Sequence, residues 1–502
     1  MRRFLWLLCL LMSLPAAAEP VSDERVRAIL PAFEAYVEQA RKEWDVPAVA
    51  LIVVRRDGVL HFRGMGRKSP SDPTPPDEDT LFAVGSTTKA FGAATLAMGV
   101  DDGKFDWDDR VLDHVPEFLM QDPWVTREFR VADLLAQHSG MPPYALTGYG
   151  ELGYSPEAIV RAMKNVRPVS SFRSRFAYVN APHLVAGGLV ARTEAAPSWE
   201  EFLNRRLLVP LGMSRTSWTA EAFNAEPNRA VGHALVDGVL RPARAVHFPY
   251  CFGLAGALNS TPRDMARWVR LQLGDGTFED KRLVSAANLE ATRTPRTPVN
   301  RKSSYCMGWV LTWATPYPIV WHNGGTPGHR TMVAFVPEAD LGIVILTNTG
   351  DNDLPDACAF RFFDMVFDQP ETDYSAQFLE KHRREREEDL NKLARPDNPA
   401  PPRALDAYVG TWEGAVLGRV AIQEREGVLH VGLLDPGVEG VLEPWDGDVF
   451  TLRMTTPWLV QSGVTLVGRW TFAQSPAGGV DRVECILGDG ESGLVTSLRR
   501  RR

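Results

Sequence analysis

The stretch FAVGSTTKAF at residues 82–91 sets Ser86 and Lys89 three positions apart, where a run of small and apolar residues opens. On a helix, residues three apart share a face. Ser86 would stand at the helix N-terminus, where backbone N–H groups have no partner within the helix. A serine hydroxyl is a poor nucleophile until a base takes its proton. Lysine can be that base only where burial or nearby positive charge lowers its pKa from about 10.4. The flanking Ala83, Val84, Ala90, Phe91, Ala93 and Ala94 are the surroundings such desolvation needs. The free N–H of Ser86 is a candidate donor to an oxyanion. Taken alone, the spacing is a weak signal, more simply met by a serine that caps a helix and a solvated lysine, so the rest of the chain decides.

Upstream, Val26, Ile29, Leu30, Phe33, Val37 and Ala40 form one apolar stripe, which predicts a helix over 23–42. VPAVALIVVRRDGVLHFRGMG follows, two β-rich runs around Asp57-Gly58, a hairpin signal. Residues 87–100 read as a buried Ala-rich helix, and 105–300 as helices with Pro- and Gly-containing loops. Strands return in YPIVWH, RTMVAFVP and LGIVILTN, and a helix follows at 355–367. This order predicts an α/β (α+β) domain whose single sheet is assembled from both ends of the segment. The pattern breaks at 378–403, where the charged helix FLEKHRREREEDLNKL runs into the Pro-rich linker ARPDNPAPPR. Beyond it, short alternating runs such as RVAIQE, VLHVGLL and DVFTLRM predict a small antiparallel barrel or sandwich, with Glu426-Gly427 and Asp446-Gly447 at turns. The run Arg499–Arg502 reads as a frayed, solvated tail.

A chain of 502 residues exceeds one ordinary core, so two or more domains are expected. A net charge of −8 leaves no basic excess to neutralise phosphates, which argues against nucleic acid as a partner. Arg2 and Arg3, an apolar run over Phe4–Leu14 and Ala16-Ala17-Ala18 read as a signal peptide over 1–18, cut before Glu19. Export to a periplasm or the extracellular space follows, with no transmembrane segment left after cleavage. Cys251, Cys306, Cys358 and Cys485 are sparse and without CxxC, and read as buried small hydrophobes, although an exported chain permits disulfides. No HxHxD or HExxH points to a metal, no cofactor is expected, and no GxSxG supports an α/β-hydrolase.

Two further stretches join Ser86 and Lys89. Tyr178-Val179-Asn180 precedes an Ala/Gly-rich helix, and His322-Asn323-Gly324-Gly325 lies at a strand end. The order Ser-x-x-Lys, Tyr-x-Asn, His-x-Gly resembles the serine β-lactamase and penicillin-binding-protein superfamily. The branch is the one holding class C β-lactamases, DD-peptidases, D-aminopeptidases and related esterases. GKFDWDDRVLDHVPEF (103–118), LLAQHSGMP (134–142), LAGALNSTPRDMARW (254–268) and YCMGW (305–309) are similar to that branch's supporting motifs. The likeness covers residues 25–370. A β-lactamase-like domain followed by a lipocalin-like barrel is also the layout of some D-amino-acid-specific peptidases, and YVGTWEG (408–414) looks like an opening barrel strand.

The resemblance implies a domain layout of 19–377 hydrolase, 378–403 helix and linker, and 404–502 barrel. It also implies roles. Ser86 is the acylated nucleophile, with Lys89 and Tyr178 jointly moving protons. Asn180 bonds Lys89 and the substrate amide. His322, Asn323 and Gly324 lie on the strand that walls the site, and the N–H groups of Ser86 and Gly325 form the oxyanion hole. His138 is structural. The family's lactamases carry Lys-Thr-Gly where His322-Asn323-Gly324 stands, so a fixed charge is replaced by a partial one at neutral pH. Arg330 and Arg173 are candidate carboxylate anchors. The expected function is a serine hydrolase cleaving a small peptide or ester. The alternatives are a class C type β-lactamase or β-lactam-binding protein, and a non-catalytic scaffold or sensor whose barrel binds a ligand.

Overall fold

Helix α1 (Asp23–Glu43) begins on Ser22, whose hydroxyl accepts the N–H of Arg25 at 3.1 Å. Asp23 and Glu24 sit in its first turn and Arg41 and Lys42 in its last, each sign where the helix dipole favours it. In this computed structural model residues 21–501 are described, apart from 237, 315, 463–466, 476–477 and 488–493. The expected signal peptide at 1–18 lies outside the described residues. No helix among them is long and apolar enough to cross a membrane.

Strands β1 (Ala48–Val54) and β2 (Val59–Gly66) form the hairpin around Asp57-Gly58. Helix α2 (Thr88–Asp101) carries Lys89, α3 (Pro182–Thr193) follows Asn180, and α4 (Pro262–Leu273) leads into the late strands. These are β3 (Thr297–Pro298), β4 (Ser303–Tyr305), β5 (Val310–Thr312), β6 (Ile319–Thr326), β7 (His329–Val336) and β8 (Leu341–Thr347). Helices α5 (Leu354–Val366) and α6 (Tyr374–Leu393) end this part. The eight strands form one antiparallel sheet in the order β2-β1-β8-β7-β6-β5-β4-β3. Early and late chain meet where β1 pairs with β8, one strand in from the sheet's edge, with Val49 opposite Thr347 and Val54 opposite Gly342. The Ala48 N–H donates to Asn348 Oδ1 at 2.7 Å, across 300 residues.

Strand β1 is buried throughout because both sheet faces are covered. Val49, Leu51 and Val53 pack with α1 and α5, while Ala50, Ile52 and Val54 face the cluster that holds α2 and α4. Burying an aromatic side chain such as Phe33 or Phe362 contributes about 1.5–3 kcal/mol. Helix α2 is buried from Thr88 to Gly99, which is why its sequence shows no polar stripe. Phe91 stacks on Trp268 of α4 with ring centroids 4.0 Å apart.

The C-terminal unit is a closed barrel of eight strands. They are β9 (Gly410–Gly414), β10 (Gly418–Arg425), β11 (Val428–Leu433), β12 (Val438–Asp446), β13 (Val449–Met454), β14 (Val467–Gln474), β15 (Val480–Leu487) and β16 (Leu494–Arg500). Tyr408, Trp412, Phe450 and Phe472 fill the interior, their rings packed at centroid separations of 4.8–5.6 Å. Among the described residues these rings form a packed core. The terminal arginines correct the sequence-based expectation. Arg499 and Arg500 belong to β16, and the Arg500 guanidinium donates to the carbonyls of Ala407, Val409 and Val480. The barrel docks on the segment 144–166. Tyr154 O–H donates to Leu417 O at 2.9 Å, Asn165 Nδ2 to Ala415 O at 2.9 Å, and the Trp458 indole lies over Gly153. Cys251, Cys306, Cys358 and Cys485 are buried free thiols.

Candidate active site

Ser86 occupies a short 3-10 turn, Gly85–Thr87, that feeds directly into α2. Two glycines let β6 cross against this turn. A Cβ at Gly324 would stand 2.1 Å from the Val84 carbonyl oxygen and 3.0 Å from the Ser86 nitrogen. Gly85 has φ +53°, and a Cβ there would meet Gly325 O at 2.8 Å and Gly325 N at 2.9 Å. Backbone this close leaves no room for side chains. The contact is fixed by Thr331 on β7, whose hydroxyl donates to Val84 O at 2.9 Å. The backbone N–H groups of Ser86 and Gly325 thereby come to one place.

Lys89 is fully buried one turn on. Its Nζ lies 2.8 Å from Asn180 Oδ1, 2.7 Å from Ala255 O and 3.1 Å from Ser86 Oγ. The first two atoms can only accept, so each takes an N–H, and the remaining tetrahedral position points at Ser86. Burial pushes the lysine well below its ordinary pKa, which favours a lone pair in that position. Asn180 is held in this orientation because its Nδ2 donates to Thr147 Oγ1 at 3.3 Å.

The Tyr178 ring lies beside the lysine, with Nζ 4.7 Å from its centroid. Burial raises the phenol pKa, and its hydrogen bond with Ser86 only partly offsets this, so the ring keeps its proton. His322 on β6 is also buried. Its Nδ1 faces the Asn323 carbonyl at 2.5 Å and must carry the proton, so Nε2 accepts from Tyr305 O–H at 3.0 Å. Burial first, then the nearby Lys89, lower its pKa to about 3. The expected partial positive charge at neutral pH is therefore corrected: His322 is a neutral relay between Tyr305 and the strand backbone.

Strand alternation turns Asn323 to the other face, where Nδ2 donates to Asp356 Oδ1 of α5 at 2.5 Å. Only its backbone walls the cleft. Arg330 stands beside Gly325, bonded to Asp353 Oδ1 at 2.8 Å with Asp356 at 3.5 Å. Arg173 is held elsewhere, by both oxygens of Asp133 and by the Glu128 carbonyl, so it is no carboxylate anchor. His138 joins the same structural cluster, 2.7 Å from Asp133 and 2.9 Å from Thr297 Oγ1. Sequence reasoning passed over Ala255, Thr147, Tyr305 and Asp356 as partners of this centre. Ala255 and Tyr305 lie inside the stretches 254–268 and 305–309 already singled out, which was the available signal.

An antiparallel sheet between helical layers, with this centre where α2 meets β6, defines the β-lactamase class of fold. The family model described as Beta-lactamase matches residues 33–361, most of the chain, and the protein belongs to that family. Residues 394–486 match a second model, "Domain of unknown function (DUF3471)". The chain is 27% identical to unguisins hydrolase ungD' of Aspergillus campestris over 461 residues, covering 84% of each chain. It is 25% identical to unguisins hydrolase ungD of Aspergillus violaceofuscus, covering 89% of this chain and 86% of that protein. The solved octameric penicillin-binding protein homologue from Pyrococcus abyssi superposes with a TM-score of 0.60 at 19% identity, covering 94% of this chain and all of the other. The likeness to that structure is one of fold.

Proposed function

We propose that this protein is an exported serine hydrolase that cleaves an amide or ester through an acyl-enzyme on Ser86. The observation that carries the proposal is Lys89, buried and bonded to two accept-only oxygens, with its third position aimed at Ser86 Oγ at 3.1 Å. The lysine lone pair takes the hydroxyl proton as Oγ attacks the substrate carbonyl. The N–H groups of Ser86 and Gly325 receive the developing oxyanion. Tyr178, still protonated, hands its proton to the leaving nitrogen or oxygen and regains one from Lys89. Water then attacks the acyl carbon, releasing the acid and returning the proton to Ser86. Asn180 holds Lys89 and meets the substrate amide, and the backbone of His322 to Gly325 lines the bound chain.

A peptide or ester fits better than a β-lactam. A neutral His322 offers no fixed charge to a substrate carboxylate, and Arg330 already faces two aspartates. Two relatives are named hydrolases. The intact Ser86, Lys89 and Tyr178 set, and the side-chain-filled barrel, favour an enzyme over a scaffold. Export rests on the N-terminal Arg2-Arg3, apolar run and Ala16–Ala18. The test is intact mass after incubation with a fluorophosphonate and a panel of β-lactams. One phosphonyl adduct on the wild type, absent from Ser86→Ala, is expected, with β-lactam adducts that decay slowly. An adduct that persists in Ser86→Ala, or none at all, overturns the nucleophile; rapid β-lactam turnover overturns the substrate preference. For export, the protein recovered from a secreting host should begin at Glu19.

A further inference from the structure

The segment on which the barrel docks also reaches the catalytic lysine. Thr147, whose Oγ1 orients Asn180, opens a helix of five residues, Thr147–Glu151. Its sequence, TGYGE, holds two glycines, and no side chain caps its start. Glycine is a poor helix former, and a helix this short does not hold itself in water. Just ahead of it, Tyr144 at φ +56° and Leu146 at φ +66° are left-handed, a conformation that such side chains keep only where their surroundings impose it. Tertiary contacts must therefore hold the segment. Tyr149 supplies one: it is buried, its ring stacks on Tyr154 with centroids 4.0 Å apart, and its carbonyl accepts the Tyr154 N–H at 3.0 Å. Tyr154 is bonded to the barrel through Leu417 O. Beside it Gly153, at φ +92°, leaves room for the Trp458 indole, whose carbons lie 3.3 and 3.4 Å from where a Cβ would stand. Tyr149, Leu152 and Tyr154 share one continuous buried cluster with Leu417 and Leu459 of the barrel unit. At the other end of the segment the Tyr144 N–H donates to the Tyr178 carbonyl at 2.6 Å.

We infer that the barrel is a positioning element for catalysis: docked, it holds residues 147–154 so that Thr147 keeps the Asn180 amide oxygen on Lys89 Nζ. The inference rests on the acyl-enzyme reading, in which Lys89 is the base. Thr147 acts through Asn180, and Trp458 acts through Tyr154 and Tyr149, so both are positioning residues rather than catalytic ones. A barrel that only added stability would leave the acylation rate of the folded protein unchanged when the dock is weakened. A barrel that positions the lysine would not, because a shift in Thr147 frees the Asn180 amide and the lysine loses one of the two oxygens that aim its third position at Ser86.

The test is a double-mutant cycle on the full chain, read as the rate of Ser86 phosphonylation at saturating fluorophosphonate. Thr147→Val removes the hydroxyl at nearly constant volume. Trp458→Ala removes the indole, which is not one of the rings that fill the barrel. Each should slow acylation about fivefold with the half-saturating probe concentration unchanged, and Thr147→Ser should keep close to the wild-type rate. Because both changes act through Asn180, the double variant should also be about fivefold slower, whereas independent effects would multiply to about 25-fold. In Trp458→Ala, hydrogen exchange should quicken over residues 144–154 while β8 stays protected. Should Trp458→Ala fail to fold, Tyr154→Phe takes its place in the cycle. Wild-type acylation in Trp458→Ala, a multiplicative loss in the double variant, or unchanged exchange over 144–154 would each overturn the inference and leave the nucleophile standing. An adduct that persists in Ser86→Ala strikes the acyl-enzyme reading itself, and this inference with it.

Discussion

Asn180→Asp asks whether Lys89 is the base. The substitution is nearly isosteric at a buried position and sets a carboxylate where an amide oxygen now lies 2.8 Å from Nζ. At that separation a pair of unit charges interacts by ~6 kcal/mol in an effective dielectric of about 20. Converted at about 1.36 kcal/mol per pKa unit, the attraction would raise the lysine by about four units. Desolvation of the new carboxylate takes back part of this, so we expect a rise of about two units or more. A larger share of the lysine would then be protonated at neutral pH, and acylation slowed, by up to about a hundredfold for a rise of two units. The assay is the rate of Ser86 phosphonylation followed by intact mass between pH 6 and pH 10. The variant should recover about tenfold per pH unit, because each unit restores tenfold more neutral amine. Asn180→Ala, which removes the acceptor without adding charge, should lose far less. An Asn180→Asp protein that acylates at close to the wild-type rate at pH 7, or without pH dependence, would refute lysine as the base.

Other consequences are open to simpler measurements. His322 and His329 have pKa values lowered to about 3 and about 4, burial being the main cause, against about 6.5 for an unfolded histidine. Below about pH 6.5 the unfolded chain takes up protons that the folded chain refuses, so stability falls by ~1.4 kcal/mol per unit for each residue as pH drops towards those values. Chemical denaturation across pH 4–7 should show this slope, and His329→Gln should make it shallower. Gly324→Ala would put a methyl 2.1 Å from Val84 O, so phosphonylation should be abolished and the melting temperature lowered; a normally active variant would refute the close crossing. Tyr154→Phe leaves the Leu417 carbonyl unpaired and should destabilise barrel docking by ~1–3 kcal/mol, read by scanning calorimetry; an unchanged transition would place the interface elsewhere.

Strand and helix identity was legible wherever burial imposed a strict pattern. The run AVALIVV, buried on both faces, and the apolar stripe of α1 needed no knowledge of their partners. The family was legible because its motifs are short, ordered and chemically constrained. What escaped notice depends on residues distant in sequence. The charge on His322 is set by its burial and by Lys89, neither visible in the neighbouring letters. Asn323 and Arg173 looked available until Asp356 and Asp133 took them. Arg500 looked solvated because its acceptors are backbone carbonyls, two of them some 90 residues earlier, and a carbonyl has no signature in composition.

The pairing of β1 with β8 has a consequence for synthesis. A ribosome delivers Ser86 and Lys89 early, yet the hydroxyl that clamps Val84 belongs to a residue 247 positions later. Until that residue emerges, the serine has no second N–H opposite it and the lysine no stable dry pocket. A product released before that residue therefore carries Ser86 and Lys89 without the strand crossing that packs against them. The sheet closes only when early and late chain meet, so under the proposed reading the activity of this unit arises together with its completeness.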